Sequence, residues 1–255
     1  DQNVSGGVPT KPSDVVSVIE KHLSTIKSNY KRTVEIAFYG GTFTAMSKRL
    51  QLILLDSVAP YLKSGKIKSV RISTRPDQID KEWIKTLRDS YSVSAVELGV
   101  QSHDPLVLKK LGRSHTSAQL EHAVSILKGL NISIGLHYLI GCPGEPNDKL
   151  NIAHYDSKMI EQIKNLRPNT VRFHPLLVIE GTNLARDFRS NEFCPIDLET
   201  AVDRLSKMVP LLENESIDVI RIGLQANELL GTNVIAGAYH PAMGELVRGR
   251  ILRNH

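Results

Sequence analysis

Val34-Glu35-Ile36-Ala37-Phe38-Tyr39-Gly40-Gly41-Thr42 is a short apolar run that ends in two glycines and a threonine. Branched and aromatic residues favour an extended strand, and a glycine pair stops one in a tight turn. The stretch therefore predicts a strand running into a turn. Working outward, five further segments read the same way: Ser69 to Ser73, Ala95 to Val100, Ile132 to Leu139, Thr170 to Phe173 and Asp218 to Ile222. Most are too apolar to alternate cleanly, as strands covered on both faces should be.

Helical patterns fill the intervals. Thr116-Ser117-Ala118-Gln119 forms a capping box ahead of Leu120, Ala123, Val124 and Leu127, and Gly129 supplies the stop. Val15, Ile19, His22, Leu23 and Ile26 make a helical stripe after Pro12, and Leu198, Val202, Leu205 and Val209 make another after a cap at Asp197. Alternating strands and helices predict an α/β fold with a parallel sheet, either open or closed toward a barrel. In such folds the chemistry collects at the carboxyl ends of the strands. Those ends carry Gly40-Gly41-Thr42, Ser73-Thr74-Arg75-Pro76, Gln101-Ser102-His103-Asp104, Gly141-Cys142-Pro143-Gly144-Glu145 and His174-Pro175.

The chain has 255 residues, 41% of them apolar, enough to bury one sizeable core. We expect a single domain over residues 1–255, with a C-terminal extension from about residue 176. No apolar run approaches the roughly 20 residues that cross a bilayer, and no signal peptide is evident, so a cytoplasmic location is expected. The 32 Lys and Arg against 27 Asp and Glu permit an anionic partner without demanding one. Cys142 and Cys194 are too far apart in sequence for a short metal-binding spacing. Cys142 reads as incidental and Cys194 as a small apolar filler of its loop.

Each polar candidate has a plain reading beside a functional one. Gly40-Gly41 alone is a turn, Arg113 alone a solvated charge at a helix start, and His137 alone a satisfied core histidine. The order of the motifs shifts the balance. Phe38-Tyr39-Gly40-Gly41-Thr42-Phe43 resembles the Gly-Gly motif of radical S-adenosylmethionine (SAM) enzymes, in its Gly-Gly-Thr-Phe form. Glu97-Leu98-Gly99-Val100-Gln101-Ser102 and Gly112-Arg113-Ser114-His115-Thr116 resemble segments shared by the elongator catalytic subunit and oxygen-independent coproporphyrinogen oxidase. The likeness continues through Gly141-Cys142-Pro143-Gly144, His174 to Thr182, Arg221 to Gln225 and Tyr239-His240-Pro241, and so covers nearly the whole chain.

The resemblance implies a parallel partial (β/α)6 TIM-like barrel and a radical SAM enzyme of the transferase kind, which uses SAM, a 4Fe-4S cluster and an electron donor, with tRNA as the substrate suggested by the elongator likeness. It implies that Gly40, Gly41 and Thr42 contact the methionine amino group and that Arg113 pairs with the SAM carboxylate. It further implies that Gln101 bonds the ribose or the methionine part, that His137 lies near the adenosine, and that the Gly141 turn backs the adenine. Tyr39, Ser73, Arg75 and Leu176 complete the implied cofactor-binding set.

One departure stands out. The family's Cys-x3-Cys-x2-Cys loop should precede a segment like Asp1 to Gly6, and with it goes the first barrel strand. The expectation is a chain that lacks the cluster ligands, cannot cleave SAM alone, and presents an open sheet edge beside Val34 to Tyr39. The alternative is a cluster-free barrel that binds RNA or a partner through basic stretches such as Lys109-Lys110 with Arg113, or Arg248, Arg250 and Arg253. A phosphate-binding lyase barrel is a weaker reading, for want of a Schiff-base lysine or a late glycine-rich loop.

Overall fold

The computed structural model describes residues 11–26, 33–224 and 233–254. The loose opening stretch before Lys11, and Gln225 at the end of its motif, lie outside the described residues. The chain divides into two compact units, Asp1–Leu98 with His122–Ile134, and Gly99–Glu121 with Gly135–His255.

In the first unit three parallel strands follow chain order: β1 (Glu35–Phe38), β2 (Ser69–Thr74) and β3 (Val93–Gln101), which passes out of the unit after Leu98. Ile72 of β2 is paired with Phe38, and Thr74 with Leu98. The helices between them are α1 (Pro12–Thr25), α2 (Lys48–Asp56), α3 (Ala59–Lys63) and α4 (Lys81–Tyr91). The side chain of Asp80 caps α4 by accepting the Trp83 N–H at 2.8 Å. Leu55, Val58, Val70, Ile72, Ile84, Leu87, Val96 and Leu98 are inaccessible to solvent and form the core. Among the described residues β1 pairs with β2 alone, and its burial is only partial, as befits an edge strand.

The helix expected after Thr116 is α6 (Ser117–Gly129), which follows the short α5 (Pro105–Lys110). Both halves of its capping box form. Thr116 Oγ1 accepts the Gln119 N–H at 3.2 Å, and Gln119 Oε1 accepts the Thr116 N–H at 2.9 Å.

The second unit repeats the parallel arrangement with β4 (Ser133–Ile140, joining the unit at Gly135), β5 (Thr170–Pro175) and a strand at Asp218–Ile222. A two-residue strand β6 (Val178–Ile179) intervenes, making the Asp218–Ile222 strand β7; β6 pairs antiparallel with β8 (Val234–Ala236). Among the described residues the unit also contains α5 and the helices α7 (Lys149–Leu166), α8 (Asn183–Arg189), α9 (Leu198–Glu213) and α10 (Met243–Asn254). Asp197 caps α9 as expected, accepting the Thr200 N–H at 2.8 Å. The basic residues of α10 are largely spent within the fold, since Arg248 forks onto Glu213 and Arg250 reaches Glu199 at 2.6 Å, both partners lying on α9. Cys194 is exposed, so it is not the apolar filler expected of it; the loop before Asp197 leaves its sulfur in solvent.

Candidate functional site

At the end of β1, Gly40 has φ 97°, a conformation that glycine adopts without penalty. At Gly41 an added Cβ would meet nothing within 4 Å, so the backbone there is bare and approachable. The turn is nonetheless well anchored. Phe43 is buried with its ring 5.2 Å from that of Phe38, and Thr44 Oγ1 lies 2.5 Å from Thr74 Oγ1 at the end of β2. Thr42 starts the short 3-10 turn Phe43–Ala45 and spends no side-chain bond on capping it.

Tyr39 leaves 49% of its surface exposed while its hydroxyl donates to Glu97 Oε1 at 2.8 Å. Glu97 is buried and is joined by Arg71, whose Nε also meets Glu35 Oε1 at 2.7 Å. Tyr39 is thus an aromatic face held upright by an ionic clasp across all three strands of the unit. Ser73 projects half-buried from β2. Arg75 grips Asp77 with two bonds, Nε to Oδ1 at 2.9 Å and Nη2 to Oδ2 at 2.5 Å. Burial opposes ionisation of Asp77, but the bonds from Arg75 and Gln78 outweigh it and hold the carboxyl below its usual range.

The second unit carries the remaining residues. Gln101 closes β3 with φ 69°, a left-handed conformation that costs a non-glycine residue about 1 to 3 kcal/mol and tends to mark functional positions. Its neighbour Ser102 lies 2.6 Å from the Tyr155 hydroxyl and accepts the Asp104 N–H at 3.0 Å, which fixes the loop. Arg113 follows Gly112, itself at φ 65°, and lies close enough to His137 to influence its charge.

His137 of β4 and His174 of β5 form a pair the sequence did not announce, with Nε2 of the first 2.9 Å from Nδ1 of the second. Burial, followed by Arg172 and Arg113, pushes His137 down to about 4. His174 is depressed further by burial, by His137, and by Arg172 and Arg221. Both imidazoles are therefore neutral at neutral pH.

Gly141 has φ 75°, and an added Cβ would sit 2.6 Å from Ile196 Cγ1. Only glycine fits this turn. The Cys142 N–H donates to Glu145 Oε1 at 2.9 Å, Glu145 Oε2 lies 2.8 Å from Arg204 Nη1, and Arg204 forks onto Asp156 at 3.0 and 2.6 Å. Burial and then the Glu145 carboxylate push the Cys142 thiol well above its usual value, which makes it inert. Leu176 is half-buried, and its N–H donates to the Ile140 carbonyl at 2.9 Å.

Within the first unit the structure thus gathers Tyr39, Gly40, Gly41, Thr42, Ser73 and Arg75 at the ends of neighbouring strands. Within the second, Gln101 ends β3, Gly141 and Leu176 directly follow β4 and β5, His137 lies in the middle of β4, and Arg113 sits in the loop between α5 and α6 rather than at a strand end. Sequence reasoning missed Glu97, His174 and Arg204 as parts of the arrangement. The signal for Glu97 and His174 was present, since both stand inside quoted strand-end motifs, whereas nothing near Arg204 hints at its two carboxylates. Among the described residues no group of three or more His, Cys, Asp or Glu could hold a metal ion, and no helix is long and apolar enough to cross a membrane.

The chain is similar to known proteins along most of its length. The model of the radical SAM superfamily matches residues 4–155, and that of the radical SAM C-terminal domain matches residues 168–253. The tRNA uridine(34) acetyltransferase of Methanocaldococcus infernus is 26% identical over 84% of this chain and 42% of its own length. The heme chaperone HemW of Lactococcus lactis is 35% identical over 59% of this chain and 38% of its own. The chain thus spans less than half the length of either relative. Among solved structures, M. infernus Elp3 with an N-terminal deletion superposes with a TM-score of 0.78 at 25% identity, covering 96% of this chain and 61% of that one. Coproporphyrinogen III oxidase (HemN) of Escherichia coli superposes at 0.56 with 14% identity, over 80% of this chain and 46% of its own. These likenesses bear out the expected fold class, a parallel α/β partial barrel.

Proposed function

The chain belongs to the radical SAM superfamily, and from that premise we propose that it is the SAM-binding core of an enzyme that modifies tRNA. The observation that carries the reading is the exposed Gly40-Gly41 turn at a strand end, with nothing within 4 Å of the space a Cβ at Gly41 would take and a Thr42 side chain that makes no capping bond. Such a turn suits the charged headgroup of an amino acid. The residues fit SAM by their chemistry as well as by the family motif.

In this reading Gly40, Gly41 and Thr42 hold the methionine amino group, and the Arg113 guanidinium takes the carboxylate with a planar pair of donors. Gln101, strained into its left-handed conformation, bonds the ribose or the methionine part. His137, neutral, offers one nitrogen to the adenosine, while the Gly141 turn and Leu176 flank the base. Tyr39 presents its ring, and Ser73 and Arg75 line the neighbouring loop. In this reading residues up to about 175 form the core and those from about 176 its extension; the C-terminal family model begins a little earlier, at residue 168.

When bound beside a reduced 4Fe-4S cluster, SAM supplies reductive cleavage to methionine and a 5′-deoxyadenosyl radical. The residues described here do not fit the cluster itself, since Cys142 is buried and inert and Cys194 stands alone on the surface. No step of the radical chemistry is assigned to them. Support for tRNA rests on the curated relatives named as tRNA uridine(34) acetyltransferases; an electron donor is the remaining partner. The cluster-free RNA-binding alternative loses ground because Arg248 and Arg250 are paired with α9 carboxylates.

Equilibrium binding of SAM to this chain tests the reading. Arg113→Ala is expected to weaken SAM binding about ten-fold to a hundred-fold, the worth of a charged hydrogen bond. Equal affinity in the variant would overturn the assignment.

A further inference from the structure

The loop that follows β3 is built around a strained residue. The Ser102 N–H donates to the Val100 carbonyl at 2.9 Å across Gln101, whose φ is 69°. A hydrogen bond that spans one residue at positive φ makes the rare, strained form of γ-turn. Gln101 carries a Cβ, so the turn persists only where its surroundings hold it.

The bonds inside the loop are short-range. Ser102 Oγ accepts the Asp104 N–H at 3.0 Å, and Asp104 Oδ1 accepts the Leu106 N–H at 2.7 Å where α5 starts. Bonds between such near neighbours would travel with the loop if it relaxed. A tie to a distant element comes from α7. The Tyr155 hydroxyl lies 2.6 Å from Ser102 Oγ with both side chains buried, and the Tyr155 ring centre stands 4.3 Å from that of His103. The two residues that follow Gln101 are thus fastened to one aromatic side chain on a long helix.

We propose that Tyr155 is a positioning residue for SAM: through Ser102 it holds Gln101 in the left-handed turn and so aims the Gln101 amide at the cofactor. The proposal rests on the role given to Gln101 above. Relaxation of Gln101 to an extended φ would turn its Cα–Cβ bond to another direction, so the backbone of this residue decides where its amide points. Tyr155 acts through Ser102 and not by touching SAM.

Amide hydrogen exchange of the intact chain without SAM reads the turn itself. Tyr155→Phe keeps the ring beside His103 and removes one hydroxyl. The Ser102 and Asp104 N–H groups are expected to exchange about five-fold faster in this variant, while the amides of α4 keep their rates. Equilibrium binding reads the consequence, and SAM affinity should fall about five-fold. In a Gln101→Gly background, where a left-handed backbone needs no holding, the same substitution should change affinity by less than about two-fold. A merely structural tyrosine would weaken SAM equally in both backgrounds. That result, or unchanged exchange at Ser102, would overturn the proposal. Ser102→Ala removes the other end of the bond and takes the place of Tyr155→Phe if that variant does not fold. A parent chain that binds no SAM overturns the cofactor reading instead, and exchange at Ser102 then decides whether Tyr155 holds the turn.

Discussion

Glu145 and Arg204 meet at 2.8 Å with each side chain about 5% exposed or less, and through this contact an arginine on α9 controls the turn that follows β4. Glu145 uses its other oxygen to hold the Cys142 N–H, so the turn is held by a buried ion group rather than by its own loop. Asp156 completes the group, giving one cation between two carboxylates.

Arg204→Met is expected to destabilise the chain by about 3 to 5 kcal/mol, because two buried carboxylates lose their only cation in this group. Chemical denaturation measures the loss. Asp156→Asn, which leaves Glu145 paired, should cost clearly less; equal losses would show that the arginine packs rather than pairs.

Gly141→Ala should cost about 3 kcal/mol, combining left-handed strain with the clash against Ile196. Ile196→Ala removes the clash and leaves the strain. In a double-mutant cycle the two changes should therefore be non-additive by about 1 kcal/mol or more, and strict additivity would dismiss the contact.

Gln101→Gly should raise stability by roughly 0.5 to 1 kcal/mol by relieving its positive φ. The same change should weaken SAM binding, because the amide is lost. A variant that is neither more stable nor weaker for SAM would remove the functional reading of the strain.

Stability should fall as pH drops from 6.5 toward 4. The unfolded histidines take up protons near the ordinary value of 6.5, whereas folded His137 resists until about 4. Above 6.5 both states are neutral and the pair is pH-independent. Below it the unfolded state binds more protons, with a cost on the order of 1 to 2 kcal/mol by pH 5. Urea midpoints at pH 7.5 and 5 check this, and His137→Gln should flatten the difference.

The strands were legible because each is an apolar run closed by a turn residue, and Asp218–Ile222 lies where the pattern put it. The capping box at Thr116 was legible because both its bonds are local. The His137–His174 contact was not, because it joins residues on different strands and depends on a register that no local pattern encodes. Arg204 was hidden for a similar reason: on α9 it reads as an ordinary surface cation, and only packing delivers Asp156 and Glu145 to it. At Gly40 the positive φ matches what a Gly-Gly turn demands, whereas nothing in the letters Gln101-Ser102 betrays a left-handed glutamine.

The grip of Arg75 on Asp77 has a consequence for ligand choice. The fork spends two of the five guanidinium donors on Asp77 and neutralises most of the charge at short range, so the loop after β2 offers an incoming anion hydrogen-bond donors with little net attraction.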